Sequence, residues 1–96
     1  MIQFRTFVSR VDSKGRRYAM HSNTPNALAA IMSGDAAEVR AFHWGVLRAT
    51  LSKNDGRFIM FSHLTGTHSL DVASTDAKRL AAHWRGFLNS QRELMP

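Results

Sequence analysis

The architecture turns on residues 46–64, VLRATLSKNDGRFIMFSHL. Asn54-Asp55-Gly56 is turn chemistry set between two β-rich runs, Val46–Lys53 and Arg57–Leu64, as a hairpin loop should be. Three loop lengths are open. A three-residue loop ending at Gly56 pairs Lys53 with Arg57, Leu51 with Ile59 and Ala49 with Phe61. A two- or four-residue loop sets Leu51 beside Met60 or Phe58. The three-residue loop makes one continuous apolar face, and is the expected one. A two-residue turn at Thr65-Gly66 then leads into Thr67–Ala73, placing His63 opposite His68. Leu47, Ala49, Leu51, Ile59, Phe61, Leu70 and Val72 would share one face of three strands. Phe58 and Met60 would lie on the far side with Arg48 and Ser69, either under the N-terminal hairpin or exposed as a docking patch or dimer seam.

That apolar face needs a cover, and the C-terminal segment supplies one. Ala77, Leu80, Ala81, Trp84, Phe87 and Leu88 recur at helical spacing, with Lys78, Arg79, Ala82, Arg85 and Asn89 opposite. Ser74 or Thr75 is the expected cap, and Asp76 in the first turn suits the positive end of the helix dipole.

Upstream, residues 35–52 read two ways. Asp35-Ala36-Ala37-Glu38 resembles a capping box, but Val39, Phe42, Trp44, Val46 and Thr50 favour extended structure, and Gly45 weakens a helix. The hairpin that follows favours the extended reading. Thr24-Pro25 opens a short helix, with Thr24 as cap, that ends at Ser33-Gly34. Residues 2–11 alternate like a strand, Asp12-Ser13-Lys14-Gly15 turns, and 16–21 return. A three-residue loop with Gly15 left-handed pairs Val8 with Met20 and Arg10 with Tyr18. The expected fold is α+β in the order β-β-α-β-β-β-α. It is an antiparallel sheet with a short and a longer helix packed on one face. Phe4, Phe7, Phe42, Trp44, Phe61 and Trp84 are taken as core.

Ninety-six residues make a single domain, 1–96. No apolar run approaches a membrane span, and the alternating N-terminus lacks a signal peptide's apolar block, so a soluble cytoplasmic protein is expected. The absence of cysteine excludes disulfides and thiolate chemistry.

Charge narrows the partners. Thirteen Lys and Arg oppose seven Asp and Glu, a net +6 with a pI near 11.2. Ten of the cations are Arg, whose planar fork grips phosphate or carboxylate and stacks on bases. In residues 1–20, Arg5, Arg10, Lys14, Arg16 and Arg17 face Asp12 alone. Arg10, Lys14, Arg16 and Arg17 cluster at the hairpin tip beside Tyr18, a ribbon suited to nucleic acid. Lys78, Arg79 and Arg85 on the last helix are a second candidate contact.

The run Ser74-Thr75-Asp76-Ala77-Lys78-Arg79-Leu80-Ala81-Ala82, after three strands, resembles the closing helix of a double-stranded-RNA-binding domain. That family carries an Ala-Lys-x-x-Ala-Ala run there, and the resemblance implies a helix–three strands–helix order. Thr75 and Asp76 replace the family's adjacent lysines, and Lys53-Asn54-Asp55-Gly56 is too short for the loop that holds its minor-groove histidine. The chain is therefore not assigned to it.

No glycine-rich phosphate loop, nucleophile elbow or paired-carboxylate signature appears, so no catalytic residue is named and a non-enzyme is expected. His63 and His68 facing each other could begin a zinc site, but no third ligand has the spacing, and neither metal nor cofactor is expected. Two functions remain. One is a binding module for nucleic acid or a nucleic-acid-containing complex. The other is a small inhibitor or adaptor acting on an acidic protein surface, as phage-encoded anti-CRISPR-type proteins do. A homodimer is compatible with either.

Overall fold

The computed structural model describes residues 3–95. The elements run β1 (Arg5–Val11), β2 (Arg17–His21), α1 (Thr24–Ser33), β3 (Glu38–His43), β4 (Val46–Asn54), β5 (Arg57–Ser62), β6 (Gly66–Asp71) and α2 (Ala77–Leu94). The strands form one antiparallel sheet in the order β2-β1-β3-β4-β5-β6, with both helices on one face. The α+β class and the places of the two helices are those expected from sequence. The sheet has one strand more, because residues 35–52 divide into β3 and β4 around a tight turn at Trp44-Gly45. Four strands therefore separate the helices, and the order implied by the RNA-binding-domain resemblance is not formed.

Helix ends follow local chemistry. Asn23, rather than Thr24, caps α1, its Oδ1 accepting the Asn26 N–H at 2.8 Å, and Gly34 closes the helix at φ 88°. Asp76, rather than Ser74 or Thr75, caps α2, accepting the Arg79 N–H at 2.8 Å. In the first hairpin Val8 pairs with Met20 and Arg10 with Tyr18, around a Ser13–Gly15 loop with Gly15 at φ 77°, as the alternation predicts.

The central register differs from expectation. Asn54 pairs with Arg57 and Leu51 with Met60, so the loop is Asp55-Gly56 alone, with both residues left-handed at φ 50° and 73°. Asp-Gly is a preferred pair for this type of turn. A slip of one residue exchanges the faces of a strand. Phe58 and Met60 thus point to the helices, 1% and 0% exposed, while Ile59 points away and Phe61 is 42% exposed. Leu47 is also exposed, against expectation, and Val72 only partly buried. The N-terminal hairpin extends the same sheet and covers nothing.

The core lies between sheet and helices. Val8, Val39, Leu51 and Met60 form one cross-strand rung, with Ala41, Ala49, Phe58 and Leu70 beside it. Leu28 and Ile31 of α1 and Leu80, Trp84 and Leu88 of α2 close over them. Burying a side chain of this size contributes about 1.5–3 kcal/mol. Gln91 is fully buried: its Oε1 accepts from Ser62 Oγ and its Nε2 donates to Thr65 Oγ1 at 2.7 Å, tying the end of α2 to the β5–β6 loop. Among the described residues no helix is long and apolar enough to cross a membrane.

Candidate functional site

The helices cover one face of the sheet and leave the other bare. Half-solvated antiparallel sheets ordinarily alternate apolar inward with polar outward. Here the outward positions include Phe7, Phe42, Leu47, Ile59 and Phe61. A rung of His21, Phe7, Arg40, Thr50, Phe61 and Thr67 crosses all six strands. Phe7 and Phe61 stand three strand spacings apart, about 14 Å.

Two ring clusters occupy this face. Phe7 packs edge-on against His21 at 5.5 Å and Phe42 at 5.4 Å between centroids, with the Arg5 guanidinium 5.7 Å from its own centroid. Phe61 meets His63 edge-on at 5.1 Å. Outward arginines are interspersed: Arg5, Arg17, Arg40 and Arg57. Arg40 lies 3.4 Å and Arg17 4.0 Å from the same Glu38 oxygen, and Arg57 is 3.9 Å from Asp71. These are exposed or half-buried pairs of small energetic weight, which a polyanion can displace.

The sheet redistributes charge along its length. Antiparallel pairing brings the tip of the first hairpin to the end of the sheet that also holds the β4–β5 turn, the end of α1 and the start of α2. Nine cations in that half, Arg40 included through its pairing with Glu38, meet six carboxylates: Asp12, Asp35, Glu38, Asp55, Asp71 and Asp76. The opposite half, around the Trp44-Gly45 turn, holds Arg5, Arg48, Arg85 and Arg92, with Glu93 the one carboxylate there among the described residues; Arg85 and Arg92 line a groove with α1 on the helix side. The two halves therefore carry similar net charge, and the end away from the hairpin tip differs in being poor in carboxylates.

The residues singled out from sequence do not assemble into one patch. At the tip, Asp12 organises the loop: its Oδ1 accepts the N–H groups of Lys14 and Arg16 at 2.9 Å each, and its Oδ2 accepts from Arg16 Nε at 3.1 Å. Backbone donation from Arg16 lowers the Asp12 pKa, opposed by some desolvation and helped by the Lys14 N–H. Arg16 thus spends part of its charge locally. Arg10 and Tyr18 share the helix-side face, with Arg10 Nη1 3.5 Å from the Asp35 carbonyl. Arg17 points to the bare face. Lys78 and Arg79 open α2 behind the sheet on the far flank, about 20 Å from the hairpin. Arg85 sits beside Thr24 and Pro25 of α1.

The two-histidine site is not formed. The β5–β6 loop has three residues, His63-Leu64-Thr65, so His68 pairs with Met60 and lies on the helix side. There it stacks on His83, with centroids 5.4 Å apart, at the edge of a groove of about 540 Å³. His63 turns to Phe61. Among the described residues, no three His, Asp or Glu side chains converge.

Sequence reasoning also misplaced Trp44. Taken as core, it is 90% exposed at the tip of the β3–β4 hairpin, with φ 54°. Its ring meets His43 edge-on at 6.2 Å. The Trp-Gly pair was the available signal, since glycine suits the second, left-handed position of a two-residue hairpin turn.

Compared with protein-family models, curated proteins and solved structures, the chain has no match in any of the three.

Proposed function

We propose that this protein is a small non-enzymatic module that binds nucleic acid across the bare face of its sheet. The observation that carries this reading is the outward rung of rings and arginine on the bare face, with Arg5 beside Phe7 and Phe42 toward the carboxylate-poor end of the sheet. Phosphates suit the Arg forks, and exposed rings suit bases. Affinity of this kind is mostly counterion release, so it falls steeply with salt. Arg17 brings the hairpin into this surface; Lys14 and Arg16 extend it at the tip. Lys78, Arg79 and Arg85 lie behind the sheet and serve at most a strand that wraps the edge. A cytoplasmic location is part of the proposal.

The test is fluorescence anisotropy with labelled single- and double-stranded DNA and RNA at 50 and 200 mM salt. Arg5→Glu should weaken binding more than the double variant Arg16→Glu/Arg17→Glu. Each lost phosphate contact on a single strand should flatten the log–log salt slope by about 0.7. Binding by Arg5→Glu at wild-type affinity and slope would remove the bare face from consideration.

A second reading keeps the alternative function, an inhibitor or adaptor that grips an acidic protein. It is favoured by β2, an edge strand with all five residues exposed, which a partner strand could extend. It predicts a stoichiometric complex with a protein from the native host and no affinity for free nucleic acid.

A further inference from the structure

Trp44 departs from two local rules together. Its φ of 54° lies in the left-handed region, where a bulky side chain is an outlier and Asn, Asp or Gly is favoured. The same chain places Asp55 at the equivalent position of the β4–β5 turn. At 90% exposure the indole recovers little of that strain through packing, beyond the edge of His43. Backbone outliers of this kind concentrate at ligand contacts.

Its surroundings indicate which ligand. Val46 and Leu47, both exposed, follow it on β4, and Leu47 pairs with Phe42, which begins the row of rings on the bare face. Arg5 pairs with Phe42 from the other side. Arg48, the extra residue where the β3–β4 register shifts, has its Nε buried without an acceptor. A cationic, carboxylate-poor setting suits a polyanion. In a duplex the base faces are already stacked on each other and unavailable to a ring on a β-turn. Unpaired bases offer those faces.

Resting on the nucleic-acid reading above, we propose that Trp44 is a stacking anchor for an unpaired base, which makes the ligand a single strand. One base stacks on the Trp44 indole. The strand then crosses the bare face toward Phe42 and Phe61, its phosphates near Arg5 and Arg40.

Trp44 and Trp84 are the only tryptophans, and Trp84 is fully buried, so acrylamide quenching reports on Trp44. The probes are a mixed-sequence single strand, an abasic strand of equal length, the matching duplex and anionic phospholipid vesicles, each at 50 mM salt. The base-bearing strand should quench Trp44 emission and shield it from acrylamide, while the abasic strand should do neither. Trp44→Asn should bind the base-bearing strand about ten-fold or more weakly, the usual effect of losing one stacked base. It should bind the abasic strand as the wild type does, and Trp44→Phe should retain most of the affinity. The Asn variant keeps the turn, so weaker binding is not a folding defect; a thermal melt checks this.

Wild-type affinity of Trp44→Asn for the base-bearing strand overturns this inference and leaves the nucleic-acid reading standing. Absence of binding to every strand overturns both. Quenching by vesicles without quenching by strands assigns Trp44 to a lipid surface. Quenching that grows with protein concentration alone and disappears in a monomer assigns it to a second copy. Either outcome overturns the inference.

Discussion

Replacing Phe58 and Phe61 separately with alanine tests the register on which the functional surface depends. The two residues are three apart on β5 and share a side-chain type, yet they face opposite ways. Phe58 is 1% exposed, pairs with Leu70 and lies beneath the helix layer with Met60. A Phe→Ala change in such a place removes the transfer energy and leaves a cavity, about 3–5 kcal/mol. Phe61 is 42% exposed, with no helix over it, and its neighbours are Thr50, Thr67 and the edge of His63. Cross-strand and aromatic contacts of that sort contribute about 1 kcal/mol in all. The difference of at least about 2 kcal/mol is some thirty-fold in the folding equilibrium. Urea unfolding followed by circular dichroism resolves it. Phe61→Ala should lower the midpoint modestly, and Phe58→Ala by about 2 M or to unfolding without denaturant, for a slope near 1–2 kcal/mol/M. Equal losses, or a larger loss at Phe61, would mean that the Asn54-Asp55-Gly56 loop has three residues and that Phe61 belongs to the core. The bare aromatic face would then vanish.

Trp44→Asn should stabilise the fold by about 0.5–1 kcal/mol, since it relieves left-handed strain at an exposed side chain at the cost of one edge contact with His43, raising Tm by a few degrees in a melt. Gln91→Leu should cost about 1–3 kcal/mol in urea unfolding, because the buried Ser62 hydroxyl loses its acceptor and Thr65 its donor. Adding Ser62→Ala should then cost less than it does in the wild type, the sign of a shared network. The lowered pKa of Asp12 means that its contribution to the hairpin is present above the unfolded carboxylate value near 3.8 and is lost as pH falls through the still lower folded one. Carboxyl-carbon NMR should show Asp12 titrating below that value. Arg16→Ala should raise the midpoint only in part, since the two backbone donors remain; an unchanged midpoint would leave the backbone as the sole cause.

The first hairpin was legible because each device points the same way. Asp12 and Gly15 shape one loop, and Val8 against Met20 leaves one apolar pairing. The two helices were legible from Pro25, Gly34 and the Leu80–Trp84–Leu88 spacing, with the caps one or two residues from their expected places. The candidate site was much less legible. Arg17 was found and Arg5 counted in the basic N-terminal segment, but neither was linked to Arg40, which is far away in sequence and joins their face only through the pairing of β1 with β3. Trp44 looked like core because tryptophan usually is.

Composition and local pattern determined that this chain is basic, cysteine-free and α+β, with a helix of Leu80, Trp84 and Leu88 over an antiparallel sheet. They could not determine which side of β5 meets that helix. Both sides are apolar, Phe58 and Met60 on one and Ile59 and Phe61 on the other, and a strand's two-residue period is satisfied equally by either. Tertiary structure decided the matter through a two-residue Asp55-Gly56 turn and the cover that α1 and α2 supply. It also decided where the charge acts. The excess read from the first twenty residues is partly offset by Asp12 beside Arg16 and by Glu38 beside Arg17, the second brought there by the pairing of β1 with β3. The carboxylate-poor surface lies at the other end, around Trp44.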